Sequence, residues 1–210
     1  MTFRLWLATV AALICGSQAD AQNKVRTETI RPSVTANPAG KPNAHATPSD
    51  AHNAAGVPDI VTDLSQLPAP VARTRERILA AAQSGDLQKL LTIMQMNETM
   101  PIFSFSDEKD PVAFWKNSYP DSEGIEVLSI LVTLLQMGYV HVDKGTPQEM
   151  YLWPYFTRMP VKNLTPEQKV ELFRIITGND YKDMLDFGAY IFYRVGIGPD
   201  GTWHFFVAGN

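Results

Sequence analysis

Residues 190–210 read YIFYRVGIGPDGTWHFFVAGN, two runs of aromatic and β-branched residues around a Gly-Pro-Asp-Gly core. That composition predicts a β-hairpin with a three-residue loop, Pro199-Asp200-Gly201: a type I turn followed by a left-handed glycine. Facing residues then have numbers summing to 400. Ile197 meets Trp203, Val195 meets Phe205 and Tyr193 meets Val207, all on one apolar face. Phe192, Arg194, His204 and Phe206 fall on the other. A two-residue loop would put Val195 opposite His204 and mix the faces, so the apolar pattern selects the longer loop. An antiparallel hairpin closing the chain requires a layer that covers it, and the preceding sequence supplies helices.

Working back from the hairpin, TPEQKVELFRIITG carries a capping box (Thr165 with Gln168), Pro166 in the first turn and Gly178 as its stop. The shorter YKDMLDFG helix follows it. MYLWPYF and YVHVD read as strands, with Pro154 placing the first of these at a sheet edge or bending it. SEGIEVLSILVTLLQMG is apolar almost all round and predicts a buried helix ending near Gly138. DPVAFWKNS predicts a helix capped by Asp110 with Pro111 at its first position. IFSFS (102–106) alternates Phe103 and Phe105 with Ser104 and Ser106, the pattern of a half-buried strand. Upstream, Val71, Ile78, Leu79 and Ala82 share one helical stripe that stops at Gly85. Asp86 then caps a second helix with Leu87, Leu90, Leu91 and Met94 inward. The expectation is an α+β domain over residues 67–210, an antiparallel sheet with an N-terminal helical hairpin and a C-terminal β-hairpin.

The first 66 residues have a different character. Arg4, an apolar run from Leu5 to Cys15 and the small residues Ala19-Asp20-Ala21 form the order of a secretory signal peptide, with cleavage after Ala21. The run is short of the roughly 20 residues that span a bilayer, so no transmembrane segment is expected in the mature protein. Cys15 is the sole cysteine. Ile14 directly before it is the wrong residue for lipoprotein cleavage, and loss of Cys15 with the leader leaves no thiol for a disulfide, a metal or a nucleophile. Residues 22–66 are rich in Pro, Ala and Asn without an aromatic, a composition that cannot offset the entropy of ordering. A periplasmic location follows from the leader and the missing disulfides.

The net charge of −4 excludes nucleic acid as a partner, since phosphate binding requires a basic face. Three clusters could carry chemistry. His141 and Asp143 are two apart on a strand and could join Ser104 or Ser106 as a Ser-His-Asp set, although no GxSxG turn surrounds either serine. The simpler account is a polar outer sheet face. Loop carboxylates at Asp107, Glu108, Asp110, Asp121, Glu123 and Glu149 could supply a glycosidase pair at a separation that sequence does not reveal. Asp180, Asp183 and Asp186 recur at helical spacing, which lines up carboxylates without wrapping an ion, so neither a metal nor any other cofactor is expected. The third cluster is for binding. Trp153, Tyr155, Phe192 and Phe206, with Arg194 and His204, could line a cleft for a sugar, a peptide or an anionic headgroup. The competing account makes these rings core.

LWPYF (152–156), LTPEQKVELFRIITGND (164–180) and the closing YRVGIGPDGTWHFFVAGN (193–210) resemble a family of exported proteobacterial proteins of unassigned function. The resemblance covers most of residues 67–210, implies an envelope location and brings no active-site residues with it. The order of elements is also similar to the cone of nuclear-transport-factor-2-like proteins. The expected function is a binding or interaction module of the cell envelope, directed at an envelope protein or glycan. An envelope hydrolase using the loop carboxylates or the His141–Asp143 pair is the alternative.

Overall fold

A computed structural model of the chain describes residues 59–209. The expected leader, Cys15 and residues 22–58 lie outside the described residues. The fold is α+β. Five antiparallel strands run in sequence order across one sheet: β1 (Ile60–Val61), β2 (Tyr139–Val142), β3 (Met150–Trp153), β4 (Arg194–Ile197) and β5 (Trp203–Val207). The domain therefore begins earlier than residue 67, because Ile60 and Val61 pair with Val140 and Tyr139. Two aliphatic residues suffice there because β2 is already seated on the core.

Helices α1 (Ala69–Gln83), α2 (Leu87–Gln95), α3 (Pro111–Ser118) and α4 (Ile125–Gln136) all lie between β1 and β2 and cover one sheet face. Local chemistry starts them where expected. Asp86 accepts Gln88 N–H at 2.8 Å, and Asp110 accepts Val112 and Ala113 N–H, each satisfying amides the helix itself cannot. Beneath them Trp115, Trp153, Trp203 and Phe206 are fully buried alongside Ile78, Leu90 and Leu131. Arg75 on α1 donates through Nε to the Leu135 carbonyl at 2.7 Å, placing a cation at the end of α4 where free carbonyls collect. This inner face is closed.

The segment between β3 and β4 crosses to the opposite face. It holds two short 3-10 turns, then α5 (Pro166–Leu172) and α6 (Gly178–Phe187). Val161, Leu164, Leu172, Ile176 and Met184 form a second apolar cluster there with Val140 and Leu152 of the sheet. The Thr165–Gln168 capping box is present. Gly178, however, opens α6 and does not close α5, because Thr177 and Asp180 build a second capping box around it. β3 is the middle strand and stops at Trp153; Pro154 ends it and leads into a 3-10 turn at Tyr155–Arg158. Pro154 thus marks a strand end and not a sheet edge.

The closing hairpin shows how local pattern and long-range contact divide the work. Gly198 N–H bonds Thr202 O, Gly201 N–H bonds Gly198 O, and Gly201 has φ +91°, so the three-residue turn forms. Ile197 faces Trp203. Beyond that pair the register slips by one: Gly196 faces Phe205, Val195 faces Phe206 and Arg194 faces Val207. His204 is the extra residue, a bulge that turns Phe206 to the core and Phe205 to the outer face. Two contacts hold it. The Trp203 indole N–H reaches past it to Phe205 O at 3.0 Å, and Ile102 brackets it, donating to His204 O and accepting from Phe206 N–H. The 102–106 segment is accordingly no strand. It makes one parallel bridge, Ile102 to Phe205, with Phe103 buried and Phe105 67% exposed.

Candidate functional site

The outer face is only half covered. α5, α6 and their connections pack over Val140 and Leu152, with Val142, Met150 and Phe205 at the margin of that cluster. The remainder is the floor of a pocket of about 370 Å³, made by Val142, Met150, Leu152, Phe205 and Val207. Ile102 and Phe105 form one lip. The volume lies at the lower end of small-ligand sites. Phe205 is there because of the bulge, and it needs a neighbour without a side chain: a Cβ on Gly196 would collide with its ring. The opposed Gly196 and Phe205 are a ring lying over a glycine, which fixes the floor's shape.

Five polar residues complete the lining, and they are unevenly placed. Arg194, at the start of β4, and Arg158, at the end of the 3-10 turn after β3, stand together. Partial burial and then the neighbouring Arg158 charge lower the Arg194 pKa, with Tyr190 pulling the other way. Thr157 stands beside them in the wall, its Oγ1 shut off from solvent without a hydrogen-bond partner. Asp143 and Gln148 lie at the other end, in the turn joining β2 to β3. Register gives the span. Val142 faces Met150 and Val195 faces Trp153, so the length of β3, about 10 Å, separates the turn from the start of β4.

The turn at the acidic end is held by a half-buried carboxylate. Glu149 accepts Gly145 N–H at 2.8 Å and bonds His141 Nε2 at 2.7 Å. Those bonds, the Gly145 amide first, lower its pKa. Asp143 has φ +53°, a left-handed conformation that Asp tolerates better than most residues, and its carbonyl accepts from Thr146. The His141 ring stacks on Tyr151, centroids 4.1 Å apart.

These positions rearrange the clusters read from sequence. His141 and Asp143 do not share a face: the strand ends at Val142, the left-handed turn carries Asp143 into the pocket, and His141 pairs with Glu149. Ser104 and Ser106 hydrogen-bond each other. Of the loop carboxylates, Asp110 is a helix cap and Glu149 a turn brace; among the described residues Asp143 is the one carboxylate lining the pocket. Asp180 sits in the Thr177 capping box and Asp186 pairs with Lys182. Among the described residues no three His, Cys, Asp or Glu gather where an ion could be held, and no helix is long and apolar enough to cross a membrane.

Of the proposed cleft, Arg194 alone lines the pocket. Trp153 and Phe206 are fully buried in the inner cluster. Tyr155 is buried in the outer one, its hydroxyl donating to Glu171 at 2.8 Å and its pKa raised by that burial. Phe192 touches both clusters, and His204 is exposed on the bulge. Sequence reasoning missed Phe205, Arg158 and Thr157. For Arg158 the one signal was a basic residue shortly after a strand-ending proline; nothing in the pattern marked Thr157. Compared with protein-family models, curated protein sequences and solved structures, the chain shows no significant match.

Proposed function

We propose that this chain is an exported binding module of the cell envelope with no catalysis of its own, and that it binds on the uncovered half of the outer sheet face. Export is supported by the order of Arg4, the apolar run and Ala19-Asp20-Ala21, and by the resemblance of the closing motif to exported proteobacterial proteins. One observation carries the binding reading: two arginines stand beside an apolar pocket whose floor is a phenylalanine laid over a glycine. Partial burial next to Arg158 disfavours the charged form of Arg194, and an anionic group brought to this end of the pocket would favour it. Among the described residues the lining offers one carboxylate and no histidine, a set that suits binding better than acid–base hydrolysis. His141, the alternative's base, is held by Glu149 at the turn.

The test is residue-specific NMR on the full chain with a defined panel: N-acetylglucosamine oligomers, decanoate and short free-ended peptides. A ligand from this panel should shift the amides of Leu152, Gly196, Phe205 and Val207 and leave those of α2 in place. If no member of the panel moves the pocket amides, or if the shifts fall on the helical face, the pocket is not the binding site.

A further inference from the structure

The chain enters the fold beside the open pocket. Ile60 faces Val140 and Val61 faces Tyr139 in antiparallel register, so stepping back from Ile60 leads along β2 toward Val142 and the turn. Asp59 marks that path: Lys144 donates to its carboxylate at 3.2 Å, one residue from the pocket lining at Asp143. Residues upstream of Asp59 are therefore tethered at the turn end of the pocket. There the apolar floor around Leu152 and Phe205 continues onto a lip whose Ile102 and Phe105 are each more than half exposed. Floor and lip together form an apolar strip of the kind that is buried against a further piece of chain.

Residues 22–58 contain one segment that matches this strip. They have no Leu, Met or aromatic residue, and three of their four large aliphatics, Val25, Ile30 and Val34, lie within ten residues. The fourth, Val57, is two residues from Asp59 and at about 7 Å reaches only the turn. From Val34 to Asp59 the chain can extend up to about 80 Å, against a floor of about 10 Å, so reach sets no limit. Charge favours the encounter, because residues 22–58 carry four Lys and Arg against two Asp and Glu, whereas residues 59–210 carry 13 against 19. The segment by itself has too little apolar surface to hold one conformation. The strip supplies that surface, and the tether makes the contact intramolecular, so a weak affinity suffices. We infer that residues 24–34 (KVRTETIRPSV) seat on the floor and lip of their own chain's pocket, Val25, Ile30 and Val34 against the apolar strip, as a displaceable cover. The inference rests on the pocket being the binding site: a ligand competes with the segment and releases it.

The experiment uses the chain from Gln22, the form left by cleavage after Ala21, in which Thr29→Cys carries the one thiol and a nitroxide label. The label is expected to broaden the amides of Leu152, Gly196, Phe205 and Val207 and to leave those of α2 sharp. Adding Ile30→Asp should abolish that broadening, and unchanged α1–α4 amides show that the variant folds. Pocket amides that stay sharp, broadening spread over both sheet faces, or broadening that persists in Ile30→Asp overturns the cover. Broadening of one chain's amides by the label on a second chain would assign the segment to a neighbouring molecule and also overturn it. Competition is read without the label, using N-acetylglucosamine oligomers, decanoate and short free-ended peptides. A segment seated nine-tenths of the time lowers apparent affinity about tenfold, so a panel member should bind Ile30→Asp about tenfold more tightly than wild type. If a panel member moves the pocket amides with equal affinity in both forms and the label does not reach them, the cover falls and the binding site stands. If the label reaches them and no panel member moves them in either form, the segment's seat stands and the ligand-binding reading falls.

Discussion

The two faces of this sheet are made by the same five strands and end up with opposite properties. The inner face is closed by four helices, and its tryptophans and Phe206 have no solvent exposure. The outer face receives two helices, inserted between β3 and β4, and beside them it keeps an open pocket near the turn joining β2 to β3. Coverage by a short insertion leaves half a face over, and that remainder is where the arginines and the pocket sit. The candidate site here arises from an incomplete layer and not from a dedicated motif.

Phe205 and Phe206, adjacent and on opposite faces, give the sharpest way to break the comparison. Phe206→Ala should cost about 3–5 kcal/mol by leaving a cavity in a closed core. Phe205→Ala, half-buried on an open floor, should cost about 1–2 kcal/mol, since its neighbours can collapse into the space. Urea unfolding of both variants checks this, and equal losses would mean that the outer face is as closed as the inner. Gly196→Val comes next: the new side chain must displace the Phe205 ring, at about 1–3 kcal/mol, and should move the pocket amides without touching the α1–α4 face. Asn97→Ala removes the side-chain oxygen that accepts Trp203 N–H at 3.0 Å and should cost about 1–2 kcal/mol, measured by the same unfolding curves.

Two smaller effects sharpen the outer face. Glu149 has a depressed pKa, so its brace on the turn is fully present above the unfolded-chain value of about 4.3 and is lost as pH falls through the lower folded value. The Gly145 amide shift should therefore change below about pH 4.3 and stay flat in Glu149→Gln; a flat wild-type profile would mean that the brace is not formed in solution. His204→Ala should change stability by less than about 0.5 kcal/mol, because the side chain is exposed and the bulge is held by backbone and by Trp203. A large loss would show that the histidine itself sets the register.

What was legible in the sequence is what a few neighbouring residues decide. Asp86, Asp110 and the Thr165–Gln168 pair start their helices because a side-chain oxygen meets an amide two or three residues on. The Pro199-Asp200-Gly201 turn follows from proline and glycine dihedral preferences alone. Where two local readings competed, pattern could not choose: Gly178 suits a helix end as well as a start, and Thr177 with Asp180 decided it. The bulge at His204 was out of reach, since its hydrogen-bond partner, Ile102, is about a hundred residues away. That one slip moved Phe205 into the site and Phe206 out of it. Arg194 was legible as an outer-face cation. Its companion Arg158 was not, because the chain folds back onto the sheet after Pro154 by a 3-10 turn that no periodicity announces.

Ile102 has one more consequence. Its backbone takes the hydrogen bonds along the free side of β5, and at the opposite rim β1 is two residues long. Among the described residues, hydrogen bonds taken at one border and a strand of only two residues at the other both disfavour pairing with a strand from a second molecule. Within the aromatic-rich C-terminal hairpin, the run Trp203–Val207 has the β-rich composition that favours such pairing, and the crossing at Ile102 takes hydrogen bonds on its flank.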